Sequence, residues 1–539
     1  SVTSGGQSLT VAGNFVNGGM LGANHSLSSV SVSGNSVLND NVTTAGAQSY
    51  TGAVTLGADL TLSGVGIGFA STLDGAHALT VEAGSGGASF SGAVGGATRL
   101  GALNVNSSGA TTFAGSVRAA TVSTDAAGTL ALNGGSVDTT GTQTYGERMV
   151  LGADTTLTAM TVTLANGVDG TSAGARSLAI VGDAVLGDIG AHQSLAALSV
   201  SGTTLLDGAS VTTTGGHTYS GAFTATGDAT LASSAGSLVF GSTVDGPLSN
   251  TLTLHAVAGD VDVAGALHVG NLLQTAGGGT SRFRNTLRAE GNIQLTALSF
   301  TFDDAVRAVN GALSLANSGD TGTVNFAPGA TVQAATGFYQ TGGSVVYLPS
   351  VVRVTQGPIS LEAPARLPLA AAIIETEGDI TMTGLVGPGT ALTMNASPTG
   401  KLTVGLNDAF EEHKLNVASL SVQEAISAMM YGSIGGRGGA LAASRVNSQL
   451  MNAPYFLNDT PWGPIDMIAT VTAGTTPRSV VPSTPVSTSL FSHNVNASSV
   501  VPDALSVFTD PQVLSVQMNR SQIEVVEPSD DEKRKQLRP

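Results

Sequence analysis

Short stretches along the chain alternate apolar Val and Leu with polar Thr and Ser, one residue at a time. Val54–Leu56 and Leu60–Leu62 are examples. Such alternation is typical of a β-strand that buries one face and exposes the other to solvent. Gly, Asn, Asp and Ser, which favour turns, separate the stretches. The pattern therefore predicts an all-β fold built of many short strands.

A longer block, Thr44–Leu62, recurs at 140–157 and again at 214–231. Each copy contains a Gln-x-Tyr or His-x-Tyr triplet, with the tyrosine at Tyr50, Tyr145 or Tyr219. We interpret these tyrosines as structural repeat positions rather than ligand platforms. His217 stands where the other copies have Gln48 and Gln143, and we expect it to be an outward-facing turn residue.

A shorter unit follows the pattern F-x-x-x-V/L. It occurs at Phe69–Leu73, Phe90–Val94, Phe113–Val117 and Phe240–Val244. The spacing indicates a repeat of roughly 20–24 residues with three short strands, which is typical of a solenoid whose coils share one core. We therefore predict a β-solenoid over 1–404, followed by a smaller irregular mixed region over 405–539. At the usual spacing of about 4.8 Å between strands, residues 1–400 would form a rod of about 85 Å.

Composition supports this interpretation and excludes other classes. Glycine contributes 72 of 539 residues, and only 11% of residues are charged, whereas 41% are hydrophobic. Disordered chains are poor in apolar residues, collagen needs glycine at every third position, and soluble helix bundles need many charged surface residues. None of these classes fits the chain.

Charge and cysteine content narrow the possible partners. The formal net charge is −17, and the first lysine is Lys401. A nucleic-acid partner is excluded because no basic stripe is available to neutralise phosphates. The absence of cysteine excludes disulfides and thiolate metal sites. No apolar stretch approaches the length of a transmembrane helix, and no signal peptide begins the chain, so we expect an export signal to have been removed.

The repeats resemble those of filamentous-haemagglutinin-like proteins and related exported bacterial β-helix proteins. The resemblance rests on the blocks that contain Tyr50, Tyr145 and Tyr219, and on coils such as Phe90–Val94 and Phe113–Val117. It covers residues 1–400 and implies a right-handed parallel β-helix exported to the cell surface, with a role in adhesion or matrix building. The Asn-Pro-Asn motifs of that family's secretion domain do not occur in this chain.

The region after 404 differs in character. Residues 422–431 have helical spacing and predict a short helix, and 475–486 are rich in Pro, Ser and Thr, which indicates an extended linker. Late strands are predicted at 504–508, 513–518 and 522–526, before a charged tail. We expect this region to act either as a cap or as an assembly element. The candidate anchors of an assembly interface are Tyr455, Phe456 and Trp462.

Candidate chemistry is sparse. Asp260 and Asp262 are expected on one face of a strand, and a basic cluster lies nearby at Arg282, Arg284, Arg288 and Arg307. Paired carboxylates with arginines could form a saccharide groove, but a solvated outer face explains them more simply. The eight histidines have no metal-ligand spacing. The sequence therefore predicts no catalytic residue, no cofactor and no metal.

These observations favour a non-enzymatic exported structural protein, secreted or at the bacterial cell surface. Its expected partner is itself, in a head-to-tail filament or biofilm matrix fibre. The alternative is a monomeric rod-like adhesin that binds host cells or glycans. A carbohydrate-active β-helix enzyme is a third hypothesis.

Overall fold

The structure is a computed structural model. It describes residues 6–368, 370–397, 399–406, 414–422, 427–430, 432–434, 440–444, 451–452, 466–470 and 479–480. The chain divides into two compact units. Unit 1 comprises residues up to Val269 together with Thr275–Gly278, and unit 2 comprises Gly270–Gln274 and the residues from Gly279 onwards.

Every regular element in the described residues is a β-strand. The strands before residue 270 are β1 (Ser8–Val11), β2 (Phe15–Asn17), β3 (Ser29–Val32), β4 (Ser36–Leu38), β5 (Val42–Thr43), β6 (Gln48–Tyr50), β7 (Val54–Leu56), β8 (Leu60–Ser63), β9 (Ile67–Phe69), β10 (Leu73–Asp74), β11 (Leu79–Gly84), β12 (Ala88–Phe90), β13 (Leu100–Ser107), β14 (Ala110–Phe113), β15 (Val117–Thr124), β16 (Thr129–Leu132), β17 (Ser136–Thr139), β18 (Gln143–Tyr145), β19 (Arg148–Leu151), β20 (Thr155–Leu164), β21 (Val168–Gly170), β22 (Ser177–Leu186), β23 (Ala197–Val200), β24 (Thr204–Leu206), β25 (Ser210–Thr213), β26 (His217–Tyr219), β27 (Phe223–Ala225), β28 (Ala229–Ser233), β29 (Leu238–Phe240), β30 (Val244–Asp245), β31 (Thr251–Ala256), β32 (Val261–Val263) and β33 (Leu267–Val269).

The later strands are β34 (Asn271–Gly277), β35 (Thr280–Phe283), β36 (Leu287–Ala289), β37 (Ile293–Ala297), β38 (Ser299–Phe302), β39 (Val306–Ala308), β40 (Ala312–Asn317), β41 (Thr323–Phe326), β42 (Thr331–Ala334), β43 (Gly337–Thr341), β44 (Val345–Tyr347), β45 (Val351–Val354), β46 (Ile359–Leu361), β47 (Ala365–Arg366), β48 (Ala371–Thr376), β49 (Ile380–Met382), β50 (Leu385–Asn395), β51 (Lys401–Val404), β52 (Leu415–Val422), β53 (Ser427–Met430), β54 (Gly432–Ile434), β55 (Ala440–Ser444), β56 (Met451–Asn452), β57 (Asp466–Thr470) and β58 (Ser479–Val480).

Within each unit, all strand pairs but one in the described residues are parallel pairs between one coil and the next, so the fold is a parallel β-solenoid. In unit 1 one sheet runs β1-β3-β6-β9-β12-β14-β16-β19-β21. The skipped strands belong to the other faces of each coil, because a coil contributes a strand to each of three ladders. Hydrogen bonds that join one coil to the next typically span about 20 residues, as in the pairs Asn35–Ala53, 18 residues apart, and Glu82–Asn106, 24 residues apart.

Alternation along each strand places the core inside the coils. Leu60 and Leu62 are buried, whereas Thr61 and Ser63 between and after them are only partly buried. In unit 1 the ring of Phe90 stacks on Phe69 and Phe113 of the neighbouring coils, with centroids 5.1 and 4.9 Å away. The predicted repeat is confirmed here, because the F-x-x-x-V/L motif recurs once in each of these turns of the solenoid. Offset-stacked rings add stabilisation beyond the area that they bury.

Two predictions for the region after 404 need correction. The helix predicted over 422–431 is wrong at its centre, because Ser427–Met430 forms a strand paired in parallel with Lys401–Val404. The parallel ladders also continue past the predicted boundary at 404, with Leu415–Val422 pairing to Leu385–Asn395. Pairing to a preformed strand edge outweighs the weak helical preference of a short apolar run.

One short segment of the predicted linker is described. Ser479–Val480 pairs antiparallel with Asp466–Thr470. The late strands predicted at 504–508, 513–518 and 522–526, and the charged tail, lie outside the described residues.

Candidate functional site

The repeated Gln-x-Tyr triplet forms a buried polar clamp at a corner of the coil. In the first copy, the hydroxyl of Tyr50 donates to Oε1 of Gln48 at 3.0 Å. The amide nitrogen of Gln48 donates to the carbonyl oxygens of Val42 and Ser63, at 3.1 and 2.9 Å. Ser63 belongs to the next coil, so one buried side chain joins two coils.

The second copy reproduces this geometry closely. Tyr145 donates to Oε1 of Gln143 at 3.0 Å, and the amide of Gln143 donates to the carbonyls of Val137 and Thr158 at 3.0 and 2.9 Å. A threonine four residues before each glutamine completes the clamp, since Thr139 donates to the carbonyl of Gly141 at 3.1 Å. Buried polar groups need such partners, because an unpartnered one costs about 1–3 kcal/mol.

His217 replaces the glutamine in the third copy. It is fully buried, with Nε2 3.2 Å from the carbonyl of Ala232 and Nδ1 3.5 Å from the Tyr219 hydroxyl. The expectation that His217 is an outward turn residue is therefore wrong. Burial lowers the pKa of His217 to about 4, against a weaker opposing effect of the hydrogen bond to Ala232.

The tyrosines of all three copies are structural, as predicted. Each is fully buried, and burial raises the pKa of each phenol, which keeps it neutral. The copies lie on three different ladders. Tyr50 pairs in register with Phe69, Tyr145 with Leu164, and Tyr219 with Phe240.

Glycines occupy the corner between the F and V positions of the repeat. A Cβ on Gly115 would lie 2.4 Å from the carbonyl oxygen of Gly92, and one on Gly134 would lie 2.1 Å from that of Gly115. Neighbouring coils therefore approach too closely for any side chain here.

A second buried polar cluster surrounds Glu147. This side chain is almost fully buried, and its Oε1 accepts a 3.2 Å hydrogen bond from Thr111, which lies 36 residues earlier. Its Oε2 has no hydrogen-bond partner. Burial is the main cause that raises the pKa of Glu147 to about 8; the bond from Thr111 opposes this, and the nearby carboxyl of Asp125 adds to it.

A buried carboxylate lies at another corner. Asp169 accepts from the backbone N–H groups of His192 and Gln193 at 2.9 and 3.0 Å, and pairs with Arg148 at 3.0 Å and with the His192 ring at 3.1 Å. Burial opposes ionisation of Asp169, but the two backbone bonds and the charges of His192 and Arg148 together lower its pKa. These bonds hold the backbone of the corner in place, so a structural role is enough to explain the buried carboxylate.

Other acidic and amide side chains serve the same purpose. Asp59 accepts from the backbone N–H of Ala78 at 2.8 Å, and Asp188 accepts from those of Ala209 and Ser210. Carboxylates of the chain thus accept hydrogen bonds that hold one coil to the next.

The carboxylates considered for a saccharide groove lie on the outer surface. Asp262 is half-buried at the centre of Val261–Val263, and Asp260, which precedes the strand, is exposed. Both have interaction partners.

The basic cluster nearby is largely paired with acids. Nε of Arg282 lies 3.0 Å from Asp303, and Nε of Arg288 lies 2.8 Å from Glu290. Arg284 also has a partner. Arg307 is exposed and has no ion pair among the described residues.

The predicted assembly anchors Tyr455, Phe456 and Trp462 lie outside the described residues. Sequence inspection missed two further turns of the F-x-x-x-V/L unit, at Phe283–Leu287 and Phe302–Val306. Their phenylalanines stack with centroids 5.5 Å apart. The motif itself would have found both.

Two kinds of feature are absent from the described residues. No group of three or more His, Asp or Glu side chains is placed to hold a metal ion there. The same residues include no helix with the length and apolar character needed to cross a membrane.

No protein family, curated protein or solved structure matches the chain significantly.

Proposed function

We propose that the chain is a non-enzymatic, exported structural protein of the bacterial cell surface that assembles head-to-tail into a filament or matrix fibre. The observation that supports this most directly is the use of the polar side chains. Gln143 and Asp188 bond one coil to another, and the Tyr145 hydroxyl holds Gln143 in place, instead of converging on a cleft. A scaffold role uses such residues fully, whereas a catalytic role would leave some of them free.

Parallel ladders also suit polymerisation. At the end of a stack of coils, the outer strands present rows of N–H and C=O groups with which a further strand can pair, and a non-closing contact of this kind generates a filament. The resemblance to filamentous-haemagglutinin-like repeats is in keeping with export and with a role at the surface.

Electron microscopy and sedimentation velocity of the purified chain at micromolar concentration test the proposal. We expect continuous fibres that grow with protein concentration. The combined variant Tyr455→Ala, Phe456→Ala and Trp462→Ala should abolish them, whereas Met160→Ala, which removes a side chain that is 69% exposed, should not.

Discrete particles at every concentration would contradict polymerisation. If those particles bound cells or glycans, the monomeric adhesin would become the better hypothesis. Turnover of a polysaccharide that is lost on Asp260→Asn or Asp262→Asn would instead identify an enzyme.

A further inference from the structure

Between residues 270 and 400, the arginines of unit 2 are confined to two neighbouring ladders. All six arginines between residues 270 and 400 lie in, or directly after, strands of these ladders. We call the outward-facing positions of these two ladders the arginine strip. Its first ladder carries Arg282, Thr301, Asn325, Tyr347 and Arg366 in register, and its second carries Arg288, Arg307, Gln333 and Arg353. The remaining strands of unit 2 before residue 400 carry no arginine.

Like charges are stacked within the strip. Arg288 and Arg307 are directly paired across adjacent coils. Like charges placed opposite each other destabilise a sheet unless anions lie between them. Glu290 partners Arg288, but the exposed Arg307 has no carboxylate among the described residues, and the same holds for Arg366. The strip therefore has unused capacity for anions.

The paired arginines indicate which anion the strip accepts. Arg282 binds Asp303 through Nε and a terminal nitrogen at 3.0 and 2.7 Å, and Arg353 pairs with Glu375. Both contacts are guanidinium–carboxylate contacts, the geometry for which arginine is well suited. A carboxylate on a ligand would make the same contact with Arg307 or Arg366.

Uncharged groups lie between the arginines. Asn325 is exposed, Gln333 is half-exposed, and the ring of Tyr347 is 42% exposed beside Arg366 in the ladder. Amides bond readily to hydroxyl groups, and an exposed aromatic ring offers an apolar face with a polar end. Successive positions lie about 4.8 Å apart, as strands in a sheet do. The ligand that fits is extended and repeating, with carboxylates separated by hydroxyl-rich rings.

We propose that the arginine strip binds a carboxylated polysaccharide. A duplex nucleic acid fits poorly, because it carries about one charge per 1.7 Å of its axis and needs many basic contacts, whereas the strip offers two unpaired arginines, Arg307 and Arg366, among the described residues. All residues of the strip belong to one protomer. The proposal therefore does not depend on filament formation, and either can fail without the other.

The test measures binding of the full chain to polygalacturonate by calorimetry, with dextran as the uncharged probe. We expect polygalacturonate to bind the unmodified chain, with an affinity that falls as the salt concentration increases. The double variant Arg307→Gln and Arg366→Gln should bind it at least tenfold more weakly. Dextran should not bind. The matched control is Arg118→Gln with Arg176→Gln, which makes the same change in charge on unit 1 and should bind as the unmodified chain does.

Failure of the unmodified chain to bind polygalacturonate would overturn the proposal. Equal losses in the strip variant and the control variant would do so too, since they would reduce the effect to net charge. Tighter binding to duplex DNA or to anionic vesicles, with the same dependence on Arg307 and Arg366, would reassign the strip to that partner. Circular dichroism of each variant establishes that the fold is retained.

Discussion

The hydroxyl of Tyr145 donates a 3.0 Å hydrogen bond to Oε1 of Gln143, two residues earlier in the same short strand. Both side chains point into the core because side chains two apart in a strand share a face. The bond fixes the orientation of the glutamine amide, whose nitrogen then reaches the carbonyls of Val137 and Thr158. One tyrosine hydroxyl thus supports contacts that join two coils.

Removing that hydroxyl tests the clamp. Tyr145→Phe should lower the free energy of unfolding by about 1–2 kcal/mol, because Oε1 of Gln143 is left buried without its donor. Chemical denaturation monitored by circular dichroism measures the change. Tyr219→Phe is the matched control, since the corresponding contact to His217 is longer, at 3.5 Å, and should cost less. Equal losses in both variants would show that the hydroxyl bond is not the cause.

The histidine of the third clamp makes stability depend on pH. His217 has a pKa of about 4 in the folded chain and about 6.5 when unfolded. The unfolded chain therefore gains the proton first, and stability falls as pH decreases from 6.5 to 4. His217→Gln should remove this part of the pH dependence, as measured by melting temperature across that window. The neighbours in register, Leu198 and Leu238, are uncharged, and the buried Tyr219 stays neutral. Gln143→His should introduce a similar dependence into the second copy.

Glu147 should produce the opposite dependence. Its pKa of about 8 when folded lies above the unfolded value of about 4.5, so the folded state holds the proton more tightly. The corresponding stability is complete below pH 4.5 and is lost as pH rises to 8. One pKa unit corresponds to about 1.4 kcal/mol, so the loss should reach several kcal/mol. Glu147→Gln should flatten the curve of unfolding free energy between pH 5 and 8, and an unchanged slope in that variant would refute the assignment.

The corner glycines should not tolerate a methyl group. In Gly115→Ala the new Cβ would lie 2.4 Å from the backbone oxygen of Gly92, which cannot move without separating two coils. We expect a loss of about 2 kcal/mol or more, in the range of severe packing clashes. Gly227→Ala is the control, because nothing lies within 4 Å of its Cβ position. Thermal unfolding of the two variants compares them directly, and similar melting temperatures would argue against close approach at the corner.

The period of the solenoid could be predicted because its signal is local and repeated. Phe69, Phe90 and Phe113 mark successive turns in sequence and stack in space. The burial of His217 could have been predicted too: Tyr219 faces inward, and a residue two positions earlier shares its face. The polar character of the histidine suggested the wrong side.

Other features depend on distances that the sequence does not encode locally. Thr111 and Glu147 lie nearly two coils apart along the chain. Their contact could be predicted only if the lengths of the corners between them were known. The error at Ser427–Met430 has another cause, since a four-residue apolar segment suits helix and strand alike until its partner is known. The sequence shows the arginine strip only in part: Arg282, Arg284, Arg288 and Arg307 form a cluster along the chain, but Arg353 and Arg366 join them only through register.

The placement of the three tyrosine clamps on three different ladders has a consequence for how such a chain evolves. Tyr145 follows Tyr50 by 95 residues and Tyr219 follows Tyr145 by 74, and neither interval returns the motif to its starting side. A duplicated segment of this kind need not comprise whole turns, because every side of a coil can accept the same module. Gene duplication can therefore lengthen the molecule by a non-integral number of turns. Each duplication then places the outward residues of the copied segment on a different side of the coil.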